Sequence, residues 1–222
     1  MLYLDPDTPA KIFIILLVLY GTSLHEMAHA YVATWLGDPT PGHHGRLTMN
    51  PIPHLQPFIA AVVVPVLMYL TNNTMLGFAT TPINPSRFRN PLRDHALVAV
   101  VGPMMNFLLA AICMGLLWIP GVFSYDQSGE TTYTTRILFN AGQLNFILGM
   151  FNLLPIPPLD GYWIARPMLP LRMRMQFDGL ARSPMALMLP LIVGSIVFSR
   201  IYGPLNHFYT GLLPIYYGYG QN

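Results

Sequence analysis

Long apolar runs separated by short polar segments set the pattern of this chain. Residues 12–19, 59–70, 96–118, 144–154 and 185–198 contain no charged side chain. A helix that crosses a bilayer needs about 20 mostly apolar residues, and several of these runs reach that length once their flanks are counted. The first predicted span covers about 9–36 and ends at Gly37, Asp38 and Pro39, which stop helices. A second covers about 92–119 and ends at Pro120 and Gly121, and a third covers about 136–154, stopped by Pro155, Pro157 and Pro158. Further helices are expected within about 185–218, where the aromatic tail suits a membrane interface. Residues 57–71 are apolar but short; Asn72, Asn73 and Thr74 mark a turn, and 75–91 reads as extended chain punctuated by Pro82, Pro85 and Pro91.

Composition supports a membrane setting. Apolar residues make up 53% of the 222 positions and charged residues 9%, against about 25% charged in soluble domains. The expected fold is an all-α polytopic membrane protein: a three-helix core, a re-entrant helix–strand hairpin over about 57–82, and one or two C-terminal helices, forming a single domain over 1–222. The net charge of +2 gives no reason to expect nucleic acid as a partner. The lone Cys113, inside an apolar run, can form neither an intrachain disulfide nor a cysteine metal cluster. The first segment begins with Asp5 and Asp7 rather than basic residues and is expected to stay in place, not to be cleaved as a signal.

Arginines assign the sides of the membrane. Arg46, Arg87, Arg89 and Arg93 lie between the first two long spans, and Arg166, Arg172, Arg174 and Arg182 follow the third. The positive-inside rule makes these loops cytoplasmic and the N-terminus external. Residues 57–82 must then enter the membrane and return on one side. Fifteen residues of helix rise about 22 Å, and nine residues of extended chain reach about 30 Å, so a hairpin is feasible. Non-helical backbone at that depth survives only within protein or beside a wet cavity, which makes a cavity an expectation.

Chemistry enters on the first span. His25-Glu26-Met27-Ala28-His29 is an HExxH pattern, which on a helix aims two imidazoles at one metal and sets a carboxylate beside it. With seven histidines and two glutamates, a shuffled chain would show the pattern roughly once in 500. Ionisable groups in a spanning helix are costly and mark function. His25 lies about 24 Å along the span, within the membrane and toward the cytoplasmic face. Two imidazoles, a carboxylate and one open position suit a single zinc per chain. Asp160, after the broken helix at Pro155, Pro157 and Pro158, stands at matching depth and is the candidate third ligand. A helix N-cap is its other reading.

The motifs HEMAH, GPMMN (Gly102 to Asn106) and NLLPIPPLDG (Asn152 to Gly161) occur in the order seen in site-2 proteases, the intramembrane zinc metalloproteases. GRLTMNPIPHLQP (Gly45 to Pro57) and TPINPSRFRNPLRDHALVAVVGP (Thr81 to Pro103) resemble the compact bacterial branch without a PDZ domain. The resemblance covers about 22–166. It implies His25, His29 and Asp160 as zinc ligands, Glu26 as the base, and Asn106 as a catalytic core asparagine that holds substrate or polarises its carbonyl. It also implies a bacterial cell membrane, a transmembrane protein as substrate, and hydrolysis near the cytoplasmic face; oligomeric state stays open.

The remaining candidates are substrate-side. Gly77, Phe78, Ala79 and Thr80 lie in the stretch 75–82, expected to pair with unwound substrate as an added strand that Pro82 ends. His54 and Asn152 are further substrate-binding candidates. Asn106 could instead bond between helices, and His54 could be an interfacial loop residue. His43 and His44 read as a solvated loop, and His95 and His207 as interfacial. A di-iron hydroxylase needs more clustered histidines than this chain has. A metal-ion transporter using the same His/Asp set, or an inactive membrane homologue, is the alternative; a base such as Glu26 beside the ligands serves proteolysis, not transport.

Overall fold

The computed structural model describes residues 8–72, 79–126, 129–181, 183, 200 and 202–214. Three long helices form the core: α1 (Thr8–Trp35), α4 (Pro91–Leu117) and α5 (Tyr133–Asn152), each packed on the other two. Between and after them lie α2 (Thr40–His43), α3 (Val64–Asn72), α6 (Asp160–Ala165) and α7 (Leu171–Ala181), and residues 202–211 form α8. The protein is all-α and membrane-embedded. The bounds of the three core helices fall within three residues of those read from the sequence, whereas α3 begins at Val64 rather than near 57. Pro9–Trp35 and Pro91–Leu117 are long and apolar enough to cross a bilayer by length and composition. Of the stretch 185–218 expected to hold further helices, residues 200 and 202–214 are described and the rest lies outside the described residues.

Helix α4 shows why such a sequence suits lipid. Its inward stripe is Val98, Gly102, Asn106, Ala110 and Met114, all buried, whereas Leu97, Met104, Leu108 and Ile112 are exposed. Small and polar residues face the neighbouring helices and large apolar ones face out, the reverse of a soluble protein and the usual arrangement in a bilayer. Exposed Ile12, Phe13, Leu16 and Leu17 continue the apolar surface on α1.

Helix α1 ends where Gly37 takes a φ of 108°, a left-handed conformation in which glycine alone pays no steric penalty. The Gly37 and Asp38 N–H groups bond back to Thr34 and Ala33. Asp38 is fully buried and its carboxylate accepts from the N–H of Thr40 (3.0 Å) and of Asn84 (2.6 Å), tying the end of α1 to the segment before α4.

The chain then doubles back along α1, so that Pro51 and Leu55 line an apolar groove with Leu16, Leu17, Leu19 and Tyr20. A π-helical turn, Ile59–Val63, leads into α3. Tyr69 of α3 packs with Ile14, Val18 and Leu144, setting α3 against the N-terminal half of α1. The Thr80 N–H donates to the Gln56 carbonyl at 3.3 Å, so the chain returns to the level from which α3 departed. The expected strand is not formed among the described residues: 79–84 has no regular structure. A strand needs a paired edge, and the helices around it offer none. Residues 75–78 lie outside the described residues.

Candidate metal centre and catalytic site

Helix α1 presents His25, Glu26 and His29 within one turn, each only 5% exposed. The imidazoles stand edge to face with centroids 4.6 Å apart. Asp160 arrives from the far end of α5, where the proline-broken stretch turns the chain back. Leu159, buried with Ile147 and Phe151, anchors that turn. Gly161 lies so close to the carbonyl of Leu153 that a Cβ there would overlap it, so only glycine lets α6 start here. Asp160 is the first residue of α6, not its cap; Leu159 holds the cap position.

Three donors converge. His25 Nε2 is 3.0 Å from His29 Nε2 and 3.2 Å from Asp160 Oδ2, and His29 Nε2 is 3.4 Å from Asp160 Oδ1. Ligands at about 2.0–2.1 Å from a tetrahedral zinc are separated by about 3.3 Å. The other ring nitrogens are taken: His29 Nδ1 donates to the Val98 carbonyl at 2.7 Å, and His25 Nδ1 faces Asn106 Oδ1 at 2.5 Å. Both Nε2 atoms therefore bring lone pairs toward each other and toward a carboxylate whose buried Oδ2 has no hydrogen-bond partner. Such a cluster is mutually repulsive without a cation, and this donor set fits a metal ion.

The support comes from α4. A Cβ at Gly102 would overlap both imidazoles, so this glycine makes room for the pair. Pro103 follows and donates no N–H to the turn behind it. Glu26 is held by Thr81, whose hydroxyl lies 2.6 Å from Glu26 Oε2 and 3.0 Å from the Glu26 carbonyl. Burial pushes the pKa of the Arg46 guanidinium down, and the nearby Glu26 carboxylate opposes that shift only in part.

Two cavities meet at Glu26. The larger, about 370 Å³, is lined by Glu26, His29, Asp160, Thr81, His95 and Trp163 among others. The smaller, about 80 Å³, includes His25, Thr22, Leu148 and Asn152. Ala79 and Thr80 border both.

Residues 119–191 match the model of Peptidase family M50, a stretch that contains Asp160. Over 162 residues the chain is 35% identical to YwhC of Bacillus subtilis (strain 168), named as a zinc metalloprotease, covering 71% of this chain and 69% of that one. The chain belongs to peptidase family M50. Rip2 of Mycolicibacterium smegmatis, also named as a zinc metalloprotease, is 30% identical over 167 residues, and Rip2 of Mycobacterium tuberculosis 27% over 165; the chain spans 60% of the length of each. No solved structure matches. This M50 peptidase is a metalloprotease of the site-2 protease family.

The other candidate residues are distributed unevenly around the M50 centre. Asn106 is fully buried behind His25, its amide engaged with His25 and Asn145, and it does not line either cavity. His54 is also buried, its Nε2 donating to the Thr48 carbonyl at 2.9 Å, and lines neither cavity. Gly77 and Phe78 lie outside the described residues. His43 and His44 are exposed at the end of α2. His95, expected at an interface, lines the larger cavity and stacks on Trp163 at 4.3 Å. Sequence reading missed Thr81, Asn145, Gly102's steric role and Trp163, because each acts through a partner distant in the chain.

Proposed function

We propose that this M50 peptidase is a zinc-dependent intramembrane endopeptidase that hydrolyses peptide bonds of transmembrane protein substrates near the cytoplasmic face of a bacterial cell membrane, with its N-terminus outside and all of 1–222 acting as one catalytic domain. The carrying observation is the convergence of His25 Nε2, His29 Nε2 and the Asp160 carboxylate beside Glu26 on a cavity wall. His25, His29 and Asp160 would hold one zinc ion. Bound there, zinc supplies Lewis acidity, making water acidic near neutral pH and polarising the peptide carbonyl.

The chain's own residues do the rest. Glu26 accepts the proton of the attacking water and passes it to the leaving nitrogen. Thr81 donates to Oε2 of that carboxylate, which leaves the other oxygen for proton transfer. Ala79 and Thr80, between the two cavities, are placed to take the backbone of an unwound substrate, with Gly77 and Phe78 preceding them in the same segment and Asn152 beyond in the smaller cavity. Asn106 acts behind His25 as a positioning group, and His54 holds its own loop.

The test is Glu26→Gln in purified protein with a model transmembrane peptide. Zinc content should stay near one per chain while cleavage falls by about 10²–10⁴, the usual contribution of a general base. Undiminished proteolysis would refute the base role. Zinc flux into vesicles without any cleavage would replace the protease reading with transport.

A further inference from the structure

Two asparagines separated by 39 positions meet between α4 and α5, and the direction of their hydrogen bonds is fixed from one end. Asn145 Nδ2 lies 2.9 Å from the carbonyl of Ala141. A carbonyl only accepts, so the NH₂ group of Asn145 must face it and Oδ1 must face the other way. That oxygen meets Asn106 Nδ2 at 3.1 Å, which turns Asn106 Oδ1 toward His25 Nδ1 at 2.5 Å. An amide oxygen there requires Nδ1 to carry the proton. The lone pair is then on Nε2, which faces Asp160 and His29.

A second observation points the same way. Gly21, one helical turn before His25, sits so close to Asn145 that a Cβ would come within 2.6 Å of Oδ1. Helix α1 is thus shaped to admit the Asn145 amide. Asn106 and Asn145 are both almost wholly buried, where an unmet amide is costly, so the chain of bonds holds one polarity.

We propose that Asn145 is a positioning residue of the metal centre: acting through Asn106, it sets the tautomer of His25 so that Nε2 can bind the ion. This rests on the reading of the site as a metal centre. Both histidines then end on main-chain carbonyls by different routes, His29 directly on Val98 of α4 and His25 through two amides on Ala141 of α5. Without the Asn145 oxygen, the Asn106 amide is free to turn over and present its NH₂ to His25. That arrangement favours the Nε2–H tautomer, which cannot ligate.

The experiment reads the tautomer in metal-free, full-length protein by long-range proton–nitrogen NMR of labelled histidine, and metal affinity by cobalt titration against a competing chelator. Wild-type His25 should carry its proton on Nδ1. Asn145→Leu should shift His25 toward Nε2–H, leave His29 unchanged, and weaken cobalt binding by about 10–100-fold. Asn145→Asp keeps an acceptor toward Asn106 and should retain both the wild-type tautomer and near wild-type affinity. A merely structural role would make the buried carboxylate at least as damaging as leucine. An unshifted His25 tautomer in Asn145→Leu, or equal losses in the two variants, overturns the proposal. Should Asn145→Leu not fold, Gly21→Ala, which displaces the same amide from α1, should give the same tautomer shift, and its failure to do so counts equally against the relay. Wild-type protein that binds no cobalt while keeping the Nδ1–H pattern would sink the metalloprotease reading and leave the relay standing.

Discussion

Gly102→Ala is the smallest change that should dismantle the centre. The added Cβ would lie 2.6 Å from His25 Cε1 and closer still to the His29 ring, whereas ordinary contact begins at 3.4 Å. The His25 ring alone must therefore retreat by about 0.8 Å, about four times the roughly 0.2 Å tolerance of a metal–ligand bond. Neither ring can simply rotate away, because each is tethered at Nδ1, to Asn106 and to Val98. The fold has less at stake: one methyl forced into a packed interior costs about 1–3 kcal/mol. The expected result is a folded, monodisperse protein that has lost most of its zinc by elemental analysis and at least 10²-fold in cleavage, since displaced ligands lose more than the 10–100-fold typical of their supports. Gly115→Ala is the matched control. It lies on the same helix with nothing within 4 Å of its Cβ, so it should keep full zinc and gain up to about 1 kcal/mol of helix stability. Full zinc occupancy and wild-type proteolysis in Gly102→Ala would refute the packing argument.

Thr81→Val removes a hydrogen bond to a charged oxygen, a contribution of about 1.5–3 kcal/mol; cleavage should fall about 10–100-fold with zinc unchanged, and wild-type turnover would show that Glu26 needs no such support. The Tyr162 hydroxyl, beyond the spanning helices, is pushed up to about 12 by burial, with its bond to Asp178 adding to the effect. The folded state thus holds this proton more tightly than the unfolded chain does. Its contribution is complete below about pH 10 and is lost as pH rises toward 12, at no more than about 1.4 kcal/mol per pH unit. Thermal unfolding in detergent should show that slope, and Tyr162→Phe should flatten it; an identical slope in both proteins would assign the transition to another group.

The parts legible in the sequence were those whose signal is local. Span lengths follow from apolar runs, helix ends from Gly37 and Pro155, and the paired histidines from a four-residue spacing that any α-helix converts into one face. Asp160 stood out among seven aspartates because it follows a broken helix at the depth of His29. What stayed hidden depends on contacts between helices. Nothing near Asn145 in the chain says that its amide meets Asn106, and nothing near Thr81 says that its hydroxyl meets a carboxylate 55 positions earlier. His95 and Trp163 were illegible for the same reason, since their stacking needs α4 and α6 side by side. Over its described residues 79–82 the expected strand is absent for a different reason: the sides of the membrane fix where a segment must go, but not whether it finds an edge to pair with.

The unequal cavities at Glu26 carry a consequence for what this peptidase can cut. A chain drawn past the carboxylate, along Ala79 and Thr80, has about 370 Å³ on the side walled by His95 and Trp163 and about 80 Å³ on the side walled by Leu148 and Asn152. The first is more than four times as roomy as the second. Under the proposed reading, cut sites should thus be lopsided, with larger residues accepted on one flank of the broken bond than on the other. Glycine, the smallest residue, is also one of the two that hold a helix least firmly. Under the proposed reading, a narrow recess that favours glycine would also favour the places where a substrate helix is easiest to open.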